Sequence, residues 1–501
     1  MSTAPDAYDQ LRERVEHLTY LGDAGGIVAW DQQVTMPDGG APARAKQQSA
    51  LSSVVHDRLT DDAVGEWLDD LEDADLTDDQ RAVVRETRRD YEEETRVPGD
   101  LVAEITETSS AAQQTWQDAK AEDDFESFAP TLAEIRDLTI ERAEHVHPDR
   151  DPYRVMFEGV DPDLSLSTVE DVFDDLREGL VPLIEDLREA HDDAGLATLP
   201  DEEWGEEAEL GLAREALETL GYDFDRGRLD TSPHPFTSGT QFDCRVTTWV
   251  KPEEPLNSLL ATIHEYGHAS YQLGLLDEHY GTPLGQARWE IHESQSRFWE
   301  NHVARTRPFW DYFAATANDY LGTDLSAREF YEAANQIYPD NLVRVEADEL
   351  TYHMHIILRS EVEKRLVRGE IDVAEVPQVW NDTMDEYLGV RPDTDSEGCL
   401  QDIHWTSGFA NFQSYTVGSV LAAQLDAAMR EDLASRGEDV DALIRAGEFE
   451  PLLEWMNEHV HEHGQRYPAD ELIERATGEP LTAEYFLEYA REKFRPLYGV
   501  R

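Results

Sequence analysis

Lysine is almost missing from this 501-residue chain, occurring only at positions 46, 120, 251, 364 and 493. The other basic residues are all arginine, and 42 basic residues stand against 109 acidic ones, for a formal charge of -67. A charge of that size excludes nucleic acid and anionic membrane surfaces as partners, because both are polyanions. Scarce lysine with surplus carboxylates is the pattern of a protein adapted to concentrated salt, where a Debye length of about 3 Å at 1 M screens the repulsion. Cysteine is also scarce. Cys244 and Cys399 are too few for a disulfide framework and fit a reducing, cytoplasmic setting. The opening MSTAPDAYDQLRERVEHL has neither a basic n-region nor an apolar h-region, so no signal peptide is expected. No run approaches the eighteen apolar residues of a membrane span.

What the chain does have is helical periodicity. Leu11, Val15, Leu18 and Leu21 recur at helical spacing, and segments near 101–120, 166–192, 206–220, 255–275, 285–303, 328–337, 340–367, 415–434 and 470–495 behave likewise. Acidic stretches such as 61–80 read as solvated faces. With 40% hydrophobic residues, 11 Trp and no internal repeat, the expectation is a mainly α-helical protein with a substantial core. We read residues 1–501 as one domain, with an N-terminal lobe of about 1–230 and a catalytic lobe of about 231–501. One stretch departs from this pattern. QFDCRVTTWV (241–250) alternates, with Phe242, Cys244, Val246, Thr248 and Val250 on one face and Asp243, Arg245 and Thr247 on the other, which predicts a strand.

HEYGHASYQLG (264–274) carries the chemistry. On a helix, His264 and His268 lie one turn apart on one face, and both imidazoles reach one ion. Glu265 is rotated by about 100°, near enough to hold a water without ligating the ion. A catalytic zinc takes three protein ligands and keeps a position for water. Glu290, Glu293, Glu300, His292 and His302 in the next helix are all available for the third place. Glu293 is preferred, because its polar, uncharged neighbours Ser294, Gln295 and Ser296 suit a packed, hydrogen-bonded ligand. Glu290 and Glu300 read as surface residues. His459, His461 and His463 in HVHEHG read as a helix end near the surface, and His353 and His355 as packing or solvent residues. Cys244 reads as a small buried hydrophobe and not a nucleophile. On the predicted 340–367 helix, Arg344 and Asp348 lie one turn apart, with His355 further along the same polar stripe.

The ordered motifs resemble those of the carboxypeptidase Taq type, or thermostable carboxypeptidase 1, family of metallocarboxypeptidases, over essentially the whole chain. VAWDQQVTMPDGGAPARAKQ (28–47) is similar to its N-terminal signature. Asp243, Arg245 and Thr247 match its D-x-R-x-T element, and His264 to His268 its H-E-x-x-H. HESQS (292–296) matches the third-ligand motif and assigns that place to Glu293. VRVEAD (343–348) resembles I-R-x-x-A-D, with Val343 in place of Ile. GCLQDIHW (398–405) fits G-x-x-Q-D-x-H-W.

The resemblance implies a zincin-like helical fold with a small sheet and a deep central groove, a homodimer, and zinc or cobalt. It also implies broad removal of C-terminal residues from peptides, proline excepted. In that setting Glu265 is the general base, and His404 and Tyr415 are candidate oxyanion donors. Arg344 is the leading candidate for the substrate carboxylate, since its planar fork matches a carboxylate bidentately. Asp243 and Arg245 are expected to line the cleft, and Asp243 or Asp402 to orient a ligand histidine. A related zinc oligopeptidase would share the metal site and differ at the carboxylate pocket. An acidic, non-enzymatic interaction protein would explain the charge but none of the motifs.

Overall fold

The computed structural model describes residues 4–500. Among these, helices dominate, and three short strands form the sheet. The strands are β1 (Gly227–Thr231), β2 (Thr237–Thr240) and β3 (Asp243–Thr248), in the order β1-β3-β2, with β1 parallel and β2 antiparallel to β3. The alternating stretch is therefore a strand, but a shorter one than 241–250. Phe242 precedes it and is exposed, while Cys244, Val246 and Thr248 are buried as the alternation requires. Thr247, predicted on the polar face, is also buried. β3 is central, so Thr247 Oγ1 is enclosed, accepting from the Phe236 N–H at 2.9 Å and from Ser232 Oγ at 2.7 Å.

Contacts within the chain divide it into two compact units, each assembled from separated stretches. One comprises the stretch up to Thr95, Thr198–Ala334 and Leu425–Pro480. The other comprises Arg96–Ala197, Asn335–Gln424 and the stretch from Leu481 on. A single cut near residue 230 therefore does not separate them, because the chain passes back and forth between the two.

In the first unit the helix Pro255–Gly274 lies against the sheet. Pro255 at its start costs no hydrogen bond, since first-turn N–H groups have no intrahelical partner. Leu256, Leu259, Leu260, Ile263 and Tyr266 recur at helical spacing and are all buried. Thr262 joins this helix to β3 through a 2.8 Å bond to Thr248 Oγ1. Next comes the helix Trp289–Arg297, which widens into a π-helical stretch over Phe298–Ala304. Gly267 sets how closely the two approach. A Cβ there would stand 2.4 Å from the Gln295 carbonyl oxygen and from Ser296 Cα, so only glycine admits the glutamate-bearing backbone.

In the second unit the helix predicted over 340–367 begins only at Thr351. The Asp348 carboxylate accepts the backbone N–H groups of Leu350 and Thr351 at 2.8 and 3.0 Å and so caps the helix. Arg344 lies outside it, in a short 3-10 turn (Arg344–Glu346). The segment predicted over 470–495 is two helices, Ala469–Thr477 and Glu484–Tyr498. Gly478 terminates the first with φ +87°, a conformation that favours glycine, and Pro480 follows. No helix among the described residues is long and apolar enough to cross a membrane.

Candidate metal centre

Three side-chain atoms, one each from His264, His268 and Glu293, lie within 4.8 Å of one another. Glu293 Oε2 is 3.8 Å from His264 Nε2 and 3.5 Å from His268 Nε2, and the two imidazoles stand nearly perpendicular at 5.0 Å between centroids. Each ligand is held from behind. His264 donates its Nδ1–H to Glu300 Oε2 at 2.9 Å. His268 Nδ1 meets His292 Nδ1 at 2.5 Å. Glu293 accepts at Oε1 from Arg297 Nε at 2.8 Å, which leaves Oε2 toward the histidines. Outer hydrogen bonds of this kind fix the tautomer and orientation of metal ligands. Two imidazole nitrogens and one carboxylate oxygen, converging and with their other atoms engaged, fit a divalent ion with room for water.

The electrostatics agree. Burial drives His268 well below its ordinary range, reinforced by His292 and His264, which favours the neutral imidazole that a metal ligand requires. Burial also pulls His264 down, but the charge of Glu293 and the bond to Glu300 outweigh it and leave it raised. For Glu300, burial works upward, yet Arg305, His264 and Arg297 hold its carboxyl far below the usual range. Arg297 therefore touches both Glu293 and Glu300 (3.2 Å from Nη1 to the latter), one cation serving two carboxylates.

Glu265, next to His264 in the sequence, is not one of the three converging residues and is buried. Thr237 Oγ1 on β2 lies 2.8 Å from both its main-chain oxygen and its Oε2. Burial pushes its carboxyl up to about 7, against the pull of His264 and Thr237. A carboxylate near neutrality suits a group that must accept a proton and give it back.

The remaining predicted residues lie on β3 and in the second unit. On β3, Arg245 pairs with Asp243 at 2.9 and 2.6 Å and lies over the Trp30 ring at 4.5 Å. The second unit brings Arg344, Asp402, His404 and Tyr415 into one neighbourhood. Arg344 binds Asp402 through Nε and Nη2 at 3.1 and 2.7 Å, not Asp348. His404 Nδ1 is 3.5 Å from Asp402, and Tyr415 packs near Phe412 and Tyr352. The Nδ1 atoms of His264 and His268 instead meet Glu300 and His292, while Asp243 and Asp402 pair with Arg245 and Arg344.

Several sequence readings need correction. Glu300 is no surface residue but the carboxylate behind His264. Its place seven residues after Glu293, two helical turns on, was the available signal. Glu290 is buried too, beside Arg288. His461 is fully buried, with Nε2 2.9 Å from Gln295 Oε1, because the HVHEHG turn packs beneath the metal helix instead of facing solvent. His353 and His355 need no such correction: of the two readings, packing or solvent, they follow the first, both being buried, with His353 Nδ1 3.1 Å from Thr416 Oγ1. Arg297 and Thr237 went unnoticed, since nothing in their local pattern separates them from ordinary helix and strand residues.

Comparison with known proteins gives the same answer as this geometry. The chain is 36% identical to thermostable carboxypeptidase 1 of Thermus thermophilus, covering 99% of this chain and all of that protein. It is 34% identical to carboxypeptidase 1 of Bacillus subtilis, with 97% of each covered. The crystal structure of the M32 carboxypeptidase from Deinococcus radiodurans R1 superposes with a TM-score of 0.93 at 36% identity, over 99% of this chain and all of the other. Residues 10–494 match the family described as carboxypeptidase Taq (M32) metallopeptidase. The chain belongs to that family and is a metal-dependent carboxypeptidase.

Proposed function

We propose that the whole chain works as one peptidase domain, with His264, His268 and Glu293 holding zinc and Glu265 as the general base in the removal of C-terminal residues. The observation that carries this reading is the convergence of one atom from each of the three ligands. A bound divalent ion supplies Lewis acidity, which polarises a carbonyl and acidifies water. The chain's own residues do the rest. Glu265 takes the proton of the attacking water and returns it to the leaving amine. His404, with Tyr415 as a second donor, stabilises the negative charge that develops on the carbonyl oxygen. Arg344, its guanidinium fixed by Asp402, receives the substrate's terminal carboxylate. Asp243 and Arg245 contact the peptide from β3.

The test is a ladder assay by mass spectrometry on one peptide in two forms, free acid and C-terminal amide, with zinc or cobalt added. The free acid is shortened from its C-terminus and the amide is not. Internal cleavage of both forms instead identifies an oligopeptidase. In Arg344→Ala, KM for the free acid rises with little change in kcat, because binding common to ground and transition states is lost. An unchanged KM moves carboxylate recognition to another residue.

We further propose a halophilic, cytoplasmic homodimer. The charge of -67 and the near absence of lysine support the first, two buried free cysteines the second, and family membership the third. Circular dichroism should show full helicity in about 1 M salt and its loss in dilute buffer, where the carboxylates are unscreened. Full helicity without salt removes the halophilic reading. Light scattering on the high-salt sample reads twice 57.0 kDa if the dimer holds.

A further inference from the structure

His292 stands one residue before Glu293 and takes no place in the ligand set, yet its ring lies against a ligand. The His268 and His292 centroids are 4.6 Å apart, and the two Nδ1 atoms 2.5 Å. One hydrogen sits between them, and the ligand set decides whose it is. His268 presents Nε2 beside Glu293 Oε2 at 3.5 Å. To offer that lone pair to an ion, a neutral imidazole carries its hydrogen on Nδ1. His268 is therefore the donor and His292 the acceptor.

We propose that His292 is a positioning residue for the metal: it accepts the Nδ1–H of His268 and so fixes the tautomer and ring plane of that ligand, as Glu300 does for His264. The two backings differ in charge. Glu300 is an anion held by Arg297 and Arg305. His292 is a neutral acceptor, packed against Tyr271 at 5.6 Å, which in turn stacks on His461 at 5.0 Å. Glu265, Glu293 and Glu300 already bring three carboxylates to the site, and a fourth behind His268 would add like-charge repulsion. A neutral acceptor gives the orientation without the charge. The column Tyr271–His461 holds it in place, with His461 Nδ1 2.7 Å from Asn457 Oδ1. This gives the histidine of HESQS and the second histidine of HVHEHG a joint purpose.

The inference rests on His264, His268 and Glu293 being the ligands, and the test separates the two claims. Zinc affinity is measured by competition against a chelator, and the visible absorption of the cobalt form is recorded. H292F keeps a ring and removes the acceptor. It is expected to bind zinc about 10–100-fold more weakly and to alter the cobalt bands. H292N places an amide oxygen near the position of Nδ1 and is expected to bind zinc at least about tenfold more tightly than H292F. Wild-type affinity in H292F, or H292N as weak as H292F, overturns the proposal. Should H292F fail to fold, H292N alone decides, and a loss there of about tenfold or more also overturns it. H268A loses the ion if the ligand set is right. Retention in H268A overturns the ligand set itself, whereas loss in H268A with retention in H292F overturns only the role of His292.

Discussion

Glu265→Gln keeps its metal and loses its activity. The expected fall in kcat is about 10²–10⁴-fold, the range for removing a positioned general base. Glutamine fills the same space beside Thr237 and can still accept its hydrogen bond. It cannot take a proton from water. Metal content is expected to remain at the wild-type level, since the three converging atoms come from His264, His268 and Glu293. KM changes little, because Glu265 acts in the chemical step. The measurement is steady-state turnover alongside metal analysis of the same preparation. Near-normal turnover removes Glu265 from the mechanism, and loss of the ion shows that it holds the metal.

Arg359→Met is expected to destabilise the protein by about 3–5 kcal/mol, without any involvement in the metal site. Arg359 and Glu363 lie one turn apart on the helix Thr351–Val367, both 0% exposed, with Nε 2.7 Å from Oε1. The guanidinium stacks 3.4 Å from the Trp405 ring centre, and Glu363 also accepts the Ala410 N–H at 3.0 Å. Methionine replaces the length of the chain but not the charge, so Glu363 is left buried and uncompensated.

The sign with pH follows from Glu363. Burial raises its pKa in the folded protein, with Arg359 opposing, and removing Arg359 raises it further. A carboxyl whose folded pKa exceeds its unfolded value binds more protons when folded. Stability is therefore lost as pH rises through the folded pKa and regained below it. Urea unfolding should show a larger deficit at about pH 8 than at about pH 5, the latter closer to the ordinary glutamate value. Arg359→Met with Glu363→Gln should recover much of the loss, because neither charge then stands alone. Equal midpoints for Arg359→Met and wild type at both pH values would sink the argument.

The candidate metal site was legible because its spacing is local. Two histidines four apart and a glutamate beside the first need only a helix to become a face with a base at its edge. Glu293 was legible for a related reason, since its uncharged polar neighbours stand out in a chain so rich in acids. Glu300 was marked only by its two-turn spacing from Glu293, and the parts played by Arg297 and His292 were not legible. Arginine and histidine on a helix have the same pattern whether they face water or a buried side chain. The small sheet was half legible: alternation marked β3, but its central position, which buries Thr247, depends on β1 and β2 pairing on either side.

Arg344 shows the limit most clearly. Its distance from Asp348 suggested one turn of helix, yet the Asp348 carboxylate caps the helix instead, and Arg344 finds Asp402, 58 residues further on. Periodicity and local spacing in the sequence were enough to predict the helical class and to point to the proposed ligand pair and base. Tertiary structure alone decided what stands behind each ligand and which carboxylate each buried arginine meets. Those pairings join residues far apart in the chain, and burial makes an unpaired charge too costly to leave, so each is settled only when the packing closes.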